Sequence, residues 1–161
     1  VIVVLNAQDR TTNKDVRAAA TAVGSGLLVE THGNFYYARA NNVAAQFARA
    51  PILLFLNDDA LIHGDDFLVE MINTFNQPDV GAVACKALYP DGRVQDGGGV
   101  IWSDGYTTNY VANQTNDYRT QFMRDINYGN GACLAVRRRV FARLNGFDTR
   151  WKPLYYEDTD L

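Results

Sequence analysis

Ile52-Leu53-Leu54-Phe55-Leu56-Asn57-Asp58-Asp59 decides the fold. Its five consecutive large apolar residues predict a strand buried on both faces. The two carboxylates directly behind that strand cannot be core, because an ionised carboxylate is expensive to bury unless it is paired or bound to a metal. In open α/β sheets, ligands bind at the carboxyl ends of strands. The stretch therefore sets two hard oxygen donors, Asp58 and Asp59, at an active-site edge. Such donors suit Mg2+ or Mn2+, cations that also bind phosphates. A strand-to-helix turn, with Asp58 or Asp59 capping a following helix, explains the same residues, and the stretch alone does not separate the two readings.

Outward from this strand, apolar runs alternate with helical periodicity. Val1 to Leu5 reads as a buried strand, the Ala-rich Thr12 to Val23 as a helix ending near Gly24, and Leu27 to Glu30 as a short strand. Ala40, Val43, Ala44, Phe47 and Ala48 share one face of a helix over Ala38 to Arg49, which Pro51 stops. Leu68, Met71, Ile72 and Phe75 mark a further helix from about Asp65 to Asn76. Gly81 to Cys85 and Ala132 to Val136 read as strands, and Arg138 to Leu144 as a short helix before Gly146. Between Asp91 and Asp125 the periodicity fails, which predicts a long irregular segment of functional character. Strands alternating with helices predict an α/β domain with a mostly parallel central sheet flanked by helices.

Composition narrows the function classes. The 161 residues are enough for a single domain, 1–161, and 47% apolar with 20% charged residues is ordinary for a globular protein. No apolar run approaches the roughly 20 residues that span a bilayer. The chain opens inside an apolar strand, so a native N-terminus is expected upstream. A net charge of −3 without a basic, aromatic-laced stripe argues against a nucleic-acid partner. Arg137-Arg138-Arg139 reads as a solvated helix start. Cys85 and Cys133, far apart in sequence, read as buried free thiols, and His32 and His63 as loop or surface residues.

A second acidic site closes the chain, in Trp151-Lys152-Pro153-Leu154-Tyr155-Tyr156-Glu157-Asp158-Thr159-Asp160-Leu161. Aromatic rings can cover the apolar face of a sugar while carboxylates bind its hydroxyls, which makes Trp151, Tyr156 and Glu157 candidate acceptor-binding residues. Partial burial beside aromatics raises a carboxylate pKa and suits a general base. Helix capping by Asp158 or Thr159 is the competing explanation.

Five segments, in order, resemble glycosyltransferase family 2, whose members have the GT-A fold, a Rossmann-like nucleotide-diphospho-sugar transferase architecture. Leu54 to Ala60 resembles "L-F-L-[DN]-D-D". Asn34 with Ala38-Arg39-Ala40-Asn41-Asn42 resembles "N-x-G-F-x-x-A-x-N". Leu88 to Gln95 with Gly98-Gly99-Val100 resembles "L-Y-P-D-G-R-I-Q-x-x-G", typical of a rhamnosyltransferase-like branch that builds bacterial surface polysaccharides. Gly131 to Arg138, continued to Gly146-Phe147-Asp148, resembles "G-A-x-L-x-[VI]-R-R-x-x-F-x-x-x-G-x-F-D-E". Tyr156 to Leu161 resembles "x-E-D-x-D-L".

The resemblance implies a metal-dependent inverting transferase. Asp59 would hold Mg2+ or Mn2+ against the diphosphate of a UDP- or dTDP-linked sugar, with Asp58 beside it on the metal shell or ribose. Asp158 would be the catalytic base and Glu157 its support or an acceptor contact. Asn6 and Arg39 would be donor-binding residues, and Asn42 a structural one. The acceptor would be a glycan or a lipid-linked glycan. The expected location is cytoplasmic, with any membrane association carried by parts outside this chain.

The chain departs from the family pattern in places. The family's usual first strand, "S-I-I-[IV]-P-x-[YF]-N", is absent, so a fragment truncated at both ends is expected, with a homodimer through the open sheet edge. Leu5 replaces an acidic residue that helps read the base, Tyr36 replaces the Gly of "N-x-G-F", and the family's late metal-binding His is absent. A catalytically inactive nucleotide- or carbohydrate-binding remnant is the alternative. A sugar nucleotidyltransferase would need a Gly- and Lys-rich phosphate loop that is not visible. A glycoside hydrolase would rest on the Asp59 and Asp158 carboxylates alone.

Overall fold

The computed structural model describes residues 1–5, 10–22, 26–31, 33, 35–115 and 117–161, with the side chains of 10–13 left aside. Strand β1 (Ile2–Leu5), helix α1 (Arg10–Ala22) and strand β2 (Leu27–Glu30) form the first unit. The strands pair in parallel, Ile2 opposite Leu27 and Leu5 opposite Glu30, as expected of a strand–helix–strand crossover. An Arg17–Glu30 ion pair ties α1 to β2. The expected helix end at Gly24 lies outside the described residues.

Helix α2 (Tyr36–Phe47) buries Ala38 and Ala40 and leads into β3 (Ile52–Leu56). Helix α3 (Phe67–Thr74) and β4 (Ala82–Ala84) follow. The later β9 (Cys133–Arg137) lies between β3 and β4 and runs antiparallel to both. The α/β layout holds, but both pairings in this sheet are antiparallel where mostly parallel pairing was expected. The physical reason is the approach of β9: between β3 and β9 the chain includes short hairpins and then a stretch, 110–132, whose described residues form no strand, and no crossover helix among the described residues leads directly into β9.

Period-2 alternation on β3 and β9 builds a core on each face of this sheet. Leu53, Phe55, Leu134 and Val136 join Ala38, Phe141 and Phe147 on one face. Ala135 meets Met71 and Phe75 on the other, with Ile52 and Leu54 packed against them. The reading of Ile52–Leu56 as a strand covered on both sides is met by these two clusters. At the centre of the first, the Phe147 ring lies 5.3, 5.0 and 5.2 Å from those of Tyr37, Phe55 and Phe141.

Polar clamps hold the periphery. Asn42 Nδ2 donates to the Phe147 carbonyl at 2.8 Å, and its Oδ1 accepts from Phe147 N at 2.9 Å, so its structural reading is met. Of the run read as a solvated helix start, Arg138 and Arg139 are exposed at the start of a helix, while Arg137 at its N-cap is partly buried. It closes β9, and its guanidinium donates to the carbonyls of Val80, Phe75 and Gln77 behind α3. Arg138 donates to the Ala50 carbonyl at 3.0 Å and precedes the rest of α4 (Arg138–Arg143). Tyr36 has φ +51°, the left-handed region in which glycine is at ease, which gives the family's Gly at this position a backbone reason.

The stretch expected to be irregular is largely so, but it carries three short strands, Val94–Asp96, Gly99–Ile101 and Thr107–Asn109. Strands β5 (Ala87–Leu88) and β6 (Val94–Asp96) form one antiparallel pair, β7 (Gly99–Ile101) and β8 (Thr107–Asn109) another, before a 3-10 turn at Tyr118–Thr120. Strands of two or three residues are too short for alternation to register in sequence. The chain closes with α5 (Glu157–Asp160). No helix among the described residues is long and apolar enough to cross a membrane.

Phe147, 2% exposed, ties three aromatic neighbours into one cluster. Phe147→Ala is expected to cost about 3–5 kcal/mol of stability, read as a lowered denaturant midpoint at constant slope in equilibrium unfolding.

Candidate active site

The acidic pair sits on a tight turn. Ala60 N donates to the Asn57 carbonyl at 3.3 Å, and Asp58 and Asp59 form the exposed tip between them. Helix α3 does not begin until Phe67, and its capping position is Asp66. Neither Asp58 nor Asp59 therefore caps a helix, which removes the simple turn-to-helix reading. Neither makes an ion pair among the described residues.

Asp158 comes from the far end of the chain to the turn that bonds Asn57. It lies in the first turn of α5, whose preceding residues Tyr155 and Tyr156 have φ of +78° and +71°. Two successive left-handed residues turn the chain sharply; this costs of order 1–3 kcal/mol each and is found where the surroundings over-determine the backbone. Asp158 Oδ2 accepts from Gly131 N at 2.9 Å on another element, while its Oδ1 accepts from Thr159 Oγ1 of its own helix at 3.4 Å. The Gly131 carbonyl accepts from Tyr37 Oη at 2.6 Å. One residue on, the Ala132 carbonyl accepts from Asn57 N at 2.9 Å. The Asn130–Ala132 turn thus joins the Asp58–Asp59 loop, helix α2 and Asp158. Gly131 is required there, because a Cβ would stand 2.7 Å from the Tyr37 hydroxyl.

The electrostatics around Asp158 are unusual. Glu157 is 7% exposed, and its Oε2 has no hydrogen-bond partner within the protein. Desolvation and the neighbouring Asp158 push its carboxyl above the ordinary glutamate value. Burial, and after it Asp158, Glu157 and Cys133, push the Tyr37 phenol well above its usual range. Tyr37 consequently stays protonated and remains a donor to Gly131. The rings of Trp151 and Tyr156 lie 5.6 Å apart at 32°, both partly exposed beside these carboxylates.

Other sequence candidates fall into place unevenly. Arg39 is exposed on α2 and stacks on Phe35 at 3.9 Å, and it makes no ion pair among the described residues. Asn6, Asn34 and His32 lie outside the described residues, and His63 is exposed in the loop before α3. Leu5 is buried, so that position offers no polar group to a base. Cys85 and Cys133 are free as expected but half-buried where burial was expected, and adjacent in space, with Cys85 N donating to the Cys133 carbonyl at 3.3 Å. Sequence reasoning missed Tyr37 and Asn130. The available signal for Asn130 was Gly129-Asn130-Gly131, a turn signature directly before a buried strand.

Among the described residues, no group of three or more His, Cys, Asp and Glu side chains is placed to hold a metal ion. Asp58 and Asp59 supply two exposed oxygen donors without such a third. That set does not fit an all-protein cage, but it fits a Mg2+- or Mn2+-type cation whose other positions are filled by water and phosphate oxygens.

Comparison with known proteins bears on the whole assembly. The family model "Glycosyl transferase family 2" matches residues 1–144. The O-antigen biosynthesis protein RfbC of Myxococcus xanthus is 36% identical over 124 residues, covering 73% of this chain and 10% of that protein. The uncharacterized protein y4gI of Sinorhizobium fredii (strain NBRC 101917 / NGR234) is 32% identical over 132 residues, 79% of this chain and 14% of that protein. The chain thus spans a small part of these relatives. Among solved structures, the mannosyltransferase PcManGT from Pyrobaculum calidifontis, in complex with GDP-Man and Mn2+, superposes with a TM-score of 0.70 at 23% identity, over 99% of this chain and 40% of that one. The fold is GT-A. With the family model spanning most of its length and a relative above 30% identity covering nearly three quarters of it, the chain belongs to glycosyltransferase family 2.

Proposed function

We propose that this domain forms the reaction centre of an inverting glycosyltransferase, which moves a sugar from a nucleotide-diphosphate donor to an acceptor hydroxyl in surface-polysaccharide synthesis. The observation that carries the reading is the meeting of two acidic loops on one turn: Asn57 N bonds the Ala132 carbonyl, and Asp158 Oδ2 accepts from Gly131 N. Loops about 100 residues apart in sequence are thereby tied to the same short turn, which supports reading their carboxylates as parts of one site. Membership of a nucleotide-sugar transferase family and the O-antigen relative support the same reading.

Asp59, with Asp58, would hold Mg2+ or Mn2+ at the donor diphosphate. When bound, that cation offsets the negative charge that grows on the leaving nucleoside diphosphate. The protein's own residues do the rest. Gly131 N–H occupies Asp158 Oδ2, and Oδ1, which accepts only a long 3.4 Å bond from Thr159 Oγ1, is the proton acceptor once the acceptor hydroxyl takes that place. As the bond from anomeric carbon to diphosphate oxygen breaks, the acceptor oxygen bonds to that carbon from the opposite face, and its proton passes to Asp158. Glu157, buried beside Asp158, supports that carboxylate. The Trp151 and Tyr156 rings cover the apolar face of the acceptor sugar. Arg39, exposed beside Phe35, faces the donor phosphates, and the base is tested across UDP, dTDP and GDP.

Asp59→Ala is expected to weaken Mn2+-dependent nucleotide binding at least about tenfold, measured by calorimetry with UDP, dTDP and GDP; equal Mn2+-dependent affinity in the variant would sink the metal assignment. Asp158→Asn is expected to keep that affinity while release of nucleoside diphosphate from the sugar donor falls by about 10²–10⁴-fold. Parallel loss of binding and release would make Asp158 structural.

Glu157 also gives a stability prediction. Folded Glu157 holds its proton more tightly than the unfolded chain does, so its ionised form costs stability once the pH exceeds both values. Glu157→Gln should therefore stabilise the fold at neutral pH while lowering turnover, and the stability gain should vanish as pH falls through the glutamate range. A gain that is flat with pH in chemical denaturation would refute the unpaired-charge account.

A further inference from the structure

We propose that Asp96, a residue no motif singles out, is a positioning residue for Asp158 and acts through Asn130; this rests on reading Asp158 as the base. Asp96 lies on β6 and is 1% exposed. It forms no ion pair among the described residues. A buried carboxylate without a cation is costly unless its hydrogen bonds are well made. Asp96 spends both oxygens: Oδ1 accepts from Gly98 N at 2.6 Å and Oδ2 from Asn130 Nδ2 at 3.1 Å.

The consequence for Asn130 follows from donor and acceptor chemistry. An ionised carboxylate only accepts, so the Asn130 amide must turn its NH2 toward Asp96. Its Oδ1 is then fixed on the opposite side, where it accepts from Ala132 N at 2.8 Å. That bond closes the turn in which Gly131 N–H faces Asp158 Oδ2 and the Gly131 carbonyl faces Tyr37. With the carboxylate gone, the amide is free to flip and to set its NH2 against the Ala132 N–H. Two like donors repel, the turn loosens, and the carboxylate of Asp158 loses its aim. A held base differs from a loose one in the chemical step and not in donor binding, because misplacement of a reacting group by about 1 Å can cost about 10²-fold in rate.

The test is Asp96→Asn beside the reciprocal swap Asp96→Asn/Asn130→Asp, which exchanges donor and acceptor across the pair and keeps shape and charge. Two readouts are taken: amide hydrogen exchange, and release of nucleoside diphosphate from UDP-, dTDP- and GDP-linked sugars with Mn2+ and water as acceptor. In Asp96→Asn, exchange at Gly131 should quicken at least about tenfold while Leu134, Ala135 and Val136 on β9 keep parent rates. There kcat should fall at least about tenfold with KM unchanged, and the swap should restore both. Parent-rate exchange at Gly131, or equal quickening along β9, overturns the proposal. If Asp96→Asn does not fold, the swap decides alone: a folded swap with Gly131 protected supports the coupling, and a swap that unfolds or leaves Gly131 unprotected overturns it. Should Asp158→Asn retain full turnover, the base assignment fails, while the Gly131 exchange still judges whether Asp96 holds the turn.

Discussion

The peptide groups of Asn130 to Ala132 are the constraint on which the candidate site depends. Each polar group of this short turn that faces the site has one partner: Gly131 N to Asp158, Gly131 O to Tyr37, Ala132 O to Asn57 and Ala132 N to Asn130. Buried backbone groups must be satisfied, so such a turn has few other geometries open to it. It leads directly into β9, the strand shared by β3 and β4. The site is thus anchored to the best-packed strand of the sheet, where Ala135 and Val136 are almost wholly buried. Rigid support of this kind is what a reacting constellation needs, since loops alone hold side chains less well.

The two acidic groups differ in how they are held, and the difference suits the roles proposed for them. Asp58 and Asp59 sit at the exposed tip of a turn whose backbone is fixed by Asn57 and Ala60. A cation shared with a diphosphate must be reached by water and phosphate, so exposure is compatible with that use. Asp158 is half-buried and hydrogen-bonded, beside a buried glutamate and a tyrosine whose proton is held tightly. A base needs orientation more than access, and Gly131 supplies it.

The fold was legible where periodicity ran long. Ile52–Leu56 announced a strand covered on both faces, and the alternation of Leu134, Ala135 and Val136 between two cores matches it on β9. The direction of β9 was not legible, since neither period nor composition encodes whether a strand runs with or against its neighbours. The hairpins β5–β6 and β7–β8 were missed because strands of two or three residues carry too few alternations to count. In the site, the carboxylates could be found because acidic residues behind apolar runs or beside aromatics stand out. Tyr37 and Asp96 could not, because each acts on the site through a partner far away in sequence: Gly131, 94 residues beyond Tyr37, and Asn130, 34 residues beyond Asp96. Arg137 was misread for the same reason: its carbonyl partners lie behind α3.

Local rules are broken in one region more than elsewhere. Tyr155 and Tyr156 are both left-handed, and Glu157 behind them is buried with an orphaned oxygen. Neither feature stabilises a fold. A chain selected for stability alone would place glycine or asparagine in the left-handed positions and glutamine or an apolar residue at the buried one. The core clusters around Phe147 and Ala135 lie on the two faces of the sheet that carries this loop, and they contribute what the loop costs. Strain and unsatisfied polarity concentrated at one edge of an otherwise consistent structure mark a site kept for binding or chemistry. The same edge holds the Trp151–Tyr156 ring pair, so the acceptor side of the proposed reaction is where local stability has been given up.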